Sequence, residues 1–432
     1  MKILSFLIVF LFSLICSAQN KSDINLWVEE NTITSDFNNL LAIEAFKKFE
    51  NYVLNKKIIA LGEPTLGSIE AQLLRLKFFK YLVEHQNFRA IALEATENSG
   101  AVNDYLLYGK GSPELAIKAM SMWMYGTEET KELLEWIRNY NSGKKEKVRF
   151  YGADLNYTYD FKNFRDSIRN VKEIDIPLID SISDINDKYL DKKDAAPKEI
   201  LKKLIGYVNQ LNDKIIENKT QIERFNSKEY YSFLTFSLNT YKQAIKWQTL
   251  GKDAPKYYRD SCLADNINFI SKSFTKNGKV FYGAHNGHIQ YDDNNGIKTS
   301  GAFLKELLND EFYNIGIEFG NYTFNALNWS SKDKSYIMKV NSITEYKKTS
   351  LSILLFDFNK GAFYIDFQTS PKDKTYKSLF EDVKPIFSIG WLYAPGYENM
   401  FIQKNSYSSL YDGLFFIKNS SGTNLFSQKK SK

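Results

Sequence analysis

Two of the three histidines in this chain, His285 and His288, stand three residues apart in FYGAHNGHIQ, directly after an apolar run. At a strand-to-loop turn, imidazoles at that spacing can converge. With a carboxylate they form a donor set able to hold a metal ion. An imidazole flanked by acids can instead act as a base near neutral pH. A third possibility is two satisfied polar residues at a strand end. Which of these applies depends on where the acids lie.

Four other apolar runs close on an ionisable residue in the same way. KKIIALGE ends in Glu63, FRAIALE in Glu94, KVRFYGAD in Asp154 and YNIGIE in Glu318. Each run is short, strand-forming and continuously apolar, as strands buried on both faces of a parallel sheet are. Ligands bind at the carboxyl ends of such strands, so the five groups are expected to share one cleft. In LGEPTLGSIE, Gly62 is expected to allow a sharp turn beside Glu63. Gly67 and Ser68 open a helix whose first amides favour negative charge, and Glu70 in its first turn suits the same dipole. His285, Glu63 and Glu94 are the candidate catalytic groups. His288, Glu70, Asp154, Glu318 and Leu66 are the candidate substrate contacts, and no metal site is assigned.

These residues need a scaffold. Helical spacing runs from Ser68 to Val83, from Ser112 and Pro113 onward, and from the capping Thr127 to near Gly143. From about Phe161 to Phe274 strand-like runs vanish. Leu201, Leu204, Val208, Leu211 and Ile215, then Leu234, Leu238, Tyr241 and Ile245, mark amphipathic helices, with DKKDAAPKE as a turn between helices. This stretch reads as an inserted helical subdomain, a lid over the pocket. LSILLFDF, AFYIDF and DGLFFI are expected to complete the sheet or pack on its edge. The expectation is an α/β fold: a largely parallel central sheet flanked by helices, with an inserted helical subdomain. Its parts are the core over 24–160 and 276–420, the insertion over 161–275 and a flexible tail over 421–432.

The chain has 432 residues, 43% hydrophobic, with a formal charge of +6 spread along it, which is a globular composition. No compact basic block interleaved with aromatics occurs, so no nucleic-acid partner is expected. MKILSFLIVFLFSLICSAQ has the charge, apolar run and small residues of a signal peptide over 1–18, implying export to the periplasm or beyond. Lipid attachment at Cys16 is less favoured, because bulky Ile15 precedes it. No later segment suits a membrane span. Cleavage leaves Cys262 alone, and its helical apolar surroundings read as a buried structural thiol.

LGEPTLGSIE, FRAIALEA, the pieces around Trp123 to Asn141, YGAD, YRDSCLADN, and GAHNGH followed by GAFLKELL and YNIGIEFG occur in an order that resembles the erythromycin esterase family. The resemblance runs from about Lys57 to Gly320. It implies an α/β core with a helical insertion, hydrolysis of a macrolide lactone or related ester by activated water, no covalent intermediate and no required cofactor or metal. It carries functional positions onto Glu63, Glu70, Glu94, His285 and His288. The family's first motif reads G-E-x-T-H-G, with the histidine as general base; this chain has Leu66 there.

Three functions follow as expectations. The first is an exported hydrolase of a small-molecule ester or lactone, with antibiotic resistance as one setting. In it His285 is base or electrostatic stabiliser, Glu63 and Glu94 orient it and the water, and His288 contacts the substrate oxygen. The second is a binding protein for a macrocycle, glycan or haem-like ligand, with Leu66 making the pocket mouth more apolar. The third is a metal-dependent hydrolase using His285, His288 and a carboxylate.

Overall fold

The computed structural model describes residues 23–426 except 98, 156–167, 169–170, 172–173, 175, 191–195, 226, 293–295, 344–349 and 356–357. The N-terminal segment expected to be a signal peptide, the start of the insertion, most of the DKKDAAPKE turn and the last six residues therefore lie outside the described residues.

The five runs that end on ionisable residues are strands. They are β2 (Ile58–Glu63), β3 (Ala90–Thr96), β4 (Arg149–Asp154), β5 (Val280–His285) and the long β6 (Phe312–Ser330). β1 is Ile33–Ser35, β7 Ser335–Ile343, β8 Ala362–Asp366, β9 Lys384–Phe387, β10 Ile402–Asn405 and β11 Gly413–Asn419. The main sheet runs β1-β8-β11-β6-β2-β5-β3-β4, with β7 hairpinned onto β6. From β11 to β4 every neighbouring pair is parallel, and β8 is antiparallel to both β1 and β11. The five candidate strands are thus contiguous; β2, β3, β4 and β5 end at one rim, past which β6 continues to Ser330.

Alternation along the strands builds two cores. Ile59 and Leu61 face one apolar cluster with Leu74, Phe78 and Leu82 of α1 (Ile69–His85). Ile58 and Ala60 face the other, with Leu263, Ile267 and Ile270. Both faces are covered, which is why these strands read as unbroken apolar runs. Ser112 and Thr127 cap α2 (Pro113–Ala119) and α3 (Glu128–Asn141) as their spacing predicts, each accepting a backbone N–H three residues on.

Between β4 and β5 lie α4 (Ile176–Ile185), α5 (Lys198–Glu217), α6 (Lys228–Leu250) and α7 (Tyr258–Phe274). The first three enclose their own apolar cluster, with Leu204, Leu211, Leu238 and Tyr241 fully buried. α7 differs: it lies within the stretch read as insertion, yet it packs on the sheet. Cys262 on it is 4% exposed, and burial pushes its thiol up to about 11, away from reactivity at neutral pH.

In LSILLFDF, Leu351–Leu354 is a helical turn packed against β6, and the Ser350 side chain caps it by accepting from the Ile353 N–H. AFYIDF and DGLFFI do join the sheet, as β8 and β11. The tail is not free over its described part. The Ser421 carbonyl accepts from Ile69 N–H, the Thr423 N–H donates to Gly67 and the Phe426 N–H donates to Gly126.

Phe78 is fully buried against the rings of Phe46, Phe49, Phe281 and Phe415. Truncating it to alanine should lower unfolding free energy by about 3–5 kcal/mol, read from the urea midpoint. A loss under about 1 kcal/mol would mean this layer is loosely packed.

Candidate active site

At the strand rim Glu63 and His285 are register partners on β2 and β5. Two glycines make room beneath them. A Cβ on Gly62 would stand 2.0 Å from Asn286 Oδ1, so that glycine is required by close approach and not by a sharp turn. A Cβ on Gly283 would stand 3.2 Å from Arg75 Cδ, in the path of that side chain. Asn286 fixes the loop after β5 by donating to the Ile317 carbonyl at 2.8 Å.

Arg75 rises from α1 and forms a buried ion pair with Glu63. Both are nearly sealed from water, at 2% and 6% side-chain exposure. Burial pushes the Glu63 carboxyl up to about 7; Arg75 pulls it down and neighbouring Glu94 adds to the rise. Glu63 is therefore part protonated and part ionised at neutral pH.

The register between β3 and β4 shifts between Leu93 and Thr96. Such an irregularity re-aims a side chain. Here Glu94 Oε2 accepts the His285 N–H at 2.9 Å, while Oε1 takes Arg259 at 2.8 Å. Arg259, near the start of α7, also grips Asp154 through two nitrogens, with Nε to Oδ1 at 3.0 Å and Nη2 to Oδ2 at 2.6 Å. Burial works against the Glu94 charge. His288, Arg259 and the His285 N–H outweigh it and hold its carboxyl well below the usual range.

The two imidazoles have opposite environments. His285 Nδ1 accepts the Gly287 N–H at 3.1 Å, so the neutral ring carries its proton on Nε2. Nε2 is buried and makes no hydrogen bond. Burial, with His288 adding to it, lowers this ring to about 4, although Glu94 and the carbonyls of Pro64 and Ile389 pull the other way. His285 thus offers an N–H donor at neutral pH, not a vacant lone pair. Burial also opposes charge on His288, but Glu94 and Asp260 overcome it and raise the ring to about 10. His288 Nδ1 lies 2.9 Å from Asp260 Oδ1, and Nε2 lies 3.3 Å from Glu94 Oε1 and 3.1 Å from Arg259 Nη1. Asp260 in turn accepts the Ser300 N–H at 2.9 Å, and Ser300 Oγ donates to the His288 carbonyl at 2.6 Å.

The rim therefore joins Glu63, Glu94, Asp154, His285 and His288. It does not include the other three candidates. Glu70 points to the chain's end, accepting from Ser421 N and Oγ at 2.7 and 2.9 Å, so the start of α1 is occupied and offers no oxyanion site. Leu66 is 5% exposed and packs in the core beside α1, not at a pocket mouth. Glu318 sits one residue beyond Ile317, on the opposite strand parity, where the hydroxyls of Tyr322 and Tyr407 bond it. Burial raises Glu318 to about 7, against the pull of the Tyr322 and Tyr407 hydroxyls and the Phe319 N–H. Among the described residues no three His, Cys, Asp or Glu side chains are grouped to hold a metal ion.

Three charged partners escaped the sequence reading: Arg75, Arg259 and Asp260. Each had a signal. Arg75 interrupts the apolar face between Leu74 and Leu76, so a buried acid had to meet it. Arg259 lies in the first turn of a helix, where the dipole disfavours a cation unless acids compensate.

Residues 83–420 match the family described as erythromycin esterase, and the chain belongs to that family, a family of hydrolases. Erythromycin esterase type II of Escherichia coli is 24% identical over 300 residues, covering 63% of this chain and 71% of that protein. YbfO of Bacillus subtilis (strain 168), named as a hydrolase, is 22% identical over 425 residues, covering 91% and 90%. Among solved structures, the erythromycin esterase EreC, a mutant in its open conformation, shares the fold at a TM-score of 0.63 and 16% identity over 91% of this chain and 98% of that one. A succinoglycan biosynthesis protein does so at 0.76 and 19%, over 94% and 99%. Among the described residues no helix is long and apolar enough to cross a membrane.

The His288 environment sets a pH dependence. A ring raised from 6.5 to about 10 gives stability that is complete below pH 6.5 and is lost as pH rises through 10. Urea denaturation at pH 6 and pH 10 should show that loss in the parent and a smaller one in His288→Gln. Equal losses would mean that the ring is not held charged.

Proposed function

We propose that this protein hydrolyses a carboxylic ester or lactone with water activated by Glu63. The observation that carries the reading is the buried Glu63 carboxyl at the strand rim, pushed up to about 7, beside a neutral His285 whose Nε2–H makes no well-formed hydrogen bond and feels only the pull of the Pro64 and Ile389 carbonyls. A base works best with its pKa near the working pH. His285 at about 4 and His288 at about 10 are each poorly placed for that task.

In the proposed reaction the Glu63 carboxylate takes a proton as the water oxygen attacks the carbonyl carbon. The C=O electron pair moves onto oxygen. His285 Nε2–H, with the positive charge of His288 and Arg259 behind it, stabilises that oxyanion. As the tetrahedral intermediate collapses, the C–O bond to the alcohol breaks and protonated Glu63 returns its proton to the leaving alkoxide. Water is consumed, and a carboxylic acid and an alcohol are released. Arg75 keeps Glu63 from rising further, and Glu94 fixes His285 through its backbone N–H.

The loss of the family's motif histidine fits this assignment. Leu66 cannot take a proton, and the adjacent acid has the pKa that the missing group would have supplied. Leu66 also lies in the core, so it lends no support to the binding-only alternative.

The helical layer over α4–α6 serves in this reading as the lid. Two contacts support it: Ser237 on α6 donates to buried Glu97 just beyond β3, and Gln243 on α6 accepts at 3.0 Å from Asn266 of α7, which also donates to the Ala153 carbonyl at 2.9 Å. A macrolide-type lactone is the proposed substrate class by family, and export through the N-terminal segment is part of the same proposal.

Purified protein assayed on a panel of lactones and aryl esters should turn over at least one of them. Activity should rise with pH through about 7, because the ionised Glu63 is the active form. Glu63→Gln should lower kcat/KM by about 10²–10⁴-fold. Turnover equal in the parent and Glu63→Gln would remove Glu63 from the base role.

A further inference from the structure

At the opposite end of the sheet, below the N-terminal ends of β3 and β4, lies a cleft of about 400 Å³. Six cationic side chains line it, Arg89, Lys145, Lys147, Arg149, Lys228 and Lys276, against two acids, Glu146 and Glu229. Both acids are already engaged: Glu229 pairs with Arg149 at 2.6 Å and Glu146 with Lys276 at 2.8 Å. Four cations therefore face the cleft with no carboxylate partner among the described residues. That is a large concentration for a chain whose whole formal charge is +6.

The cleft is partly preorganised. Arg89 is held by the Val83 and Phe88 carbonyls at 2.9 and 2.7 Å, and its guanidinium lies over the Tyr140 ring. Lys147 is tied to the Asn141 carbonyl at 3.0 Å. Lys145 and Lys228 are exposed and free to swing. The N-terminal end of α6, the positive end of a 23-residue helix dipole, opens on the same space. Half-buried Phe274 provides an apolar wall, its ring stacked on Tyr151 at 4.7 Å. Like charges gathered in a concave site raise the local potential, and a multivalent anion offsets their repulsion. Arg and Lys in mixed, partly fixed arrays suit phosphoryl oxygens.

We propose that this cleft binds a phosphate-bearing small molecule, at a site separate from the strand rim. β4 spans the distance between them: Arg149 opens it in the cleft and Asp154 closes it in the rim. At about 3.3 Å per residue the two ends are roughly 16 Å apart.

The test is isothermal titration of the full chain with inorganic pyrophosphate and, separately, with ADP, at low salt. The comparison is with a Lys145→Glu/Lys228→Glu double variant, whose exposed positions leave the core intact, and with Glu63→Gln. At least one probe should bind the parent, at least tenfold more weakly in the double variant, and unchanged in Glu63→Gln. Equal affinities for the two probes would show that the phosphoryl group alone is read; stronger ADP binding would add recognition by the Phe274 wall. The double variant should retain the parent's ester turnover, which separates this site from the proposed reaction. Binding of neither probe, or equal binding to parent and double variant, would overturn the assignment.

Discussion

Charge must nearly balance where water is excluded, and at this rim it does not. Four carboxylates, Glu63, Glu94, Asp154 and Asp260, meet three cationic partners, Arg75, Arg259 and His288. Arg75 pairs with Glu63 alone, while Arg259 and His288 together face Glu94, Asp154 and Asp260. One negative charge is left over in that second group, next to the Glu63–Arg75 pair. Desolvation of Glu63 exceeds what Arg75 returns, neighbouring Glu94 adds to the rise, and the Glu63 carboxyl is pushed up to about 7. The chemistry proposed for the site follows from this imbalance more than from either histidine.

The fold supplies the imbalance cheaply. Parallel strands packed on both faces bring their ends to one rim with no side-chain freedom left in the body of the sheet. Arg75 reaches that rim from the helix on one face, passing Gly283, and Arg259 reaches it from α7 on the other. Glu63 is thereby met by a cation from one layer, and Glu94 and Asp154 share one from the other. The Asn286 clamp and the Ser300 contacts then fix the short loop that carries both imidazoles.

Much of this was legible in the sequence because one physical rule wrote it. Strands buried on both faces must be apolar until they emerge, so Glu63, Glu94, Asp154 and His285 marked both the strand ends and the site. The same rule misled at Glu318. A parity of one residue, invisible without knowing where β6 continues, sends it to a tyrosine pair. Glu70 misled for a different reason: an acid at a helix start suits the dipole whatever else it touches, and here it holds the chain's end. The sequence leaves His285 as base or electrostatic stabiliser, because imidazoles usually titrate near neutrality. The Gly287 amide, which occupies its lone pair, depends on backbone geometry that residue types do not encode. The partners Arg75 and Arg259 lay in plain view on helices read only for their apolar stripes.

The central claim is that Glu63 holds its proton to about pH 7 in the folded protein. Carbon-13 labelling of glutamate side chains, with NMR titration of the parent beside Glu63→Gln, tests it directly. Glu318 shares the range, so the variant is needed for assignment. The account predicts a carboxyl resonance with its midpoint near 7 that is missing from Glu63→Gln. If the resonance removed by that substitution instead titrates near 4.5, the surplus charge is absorbed elsewhere and Glu63 is not the base.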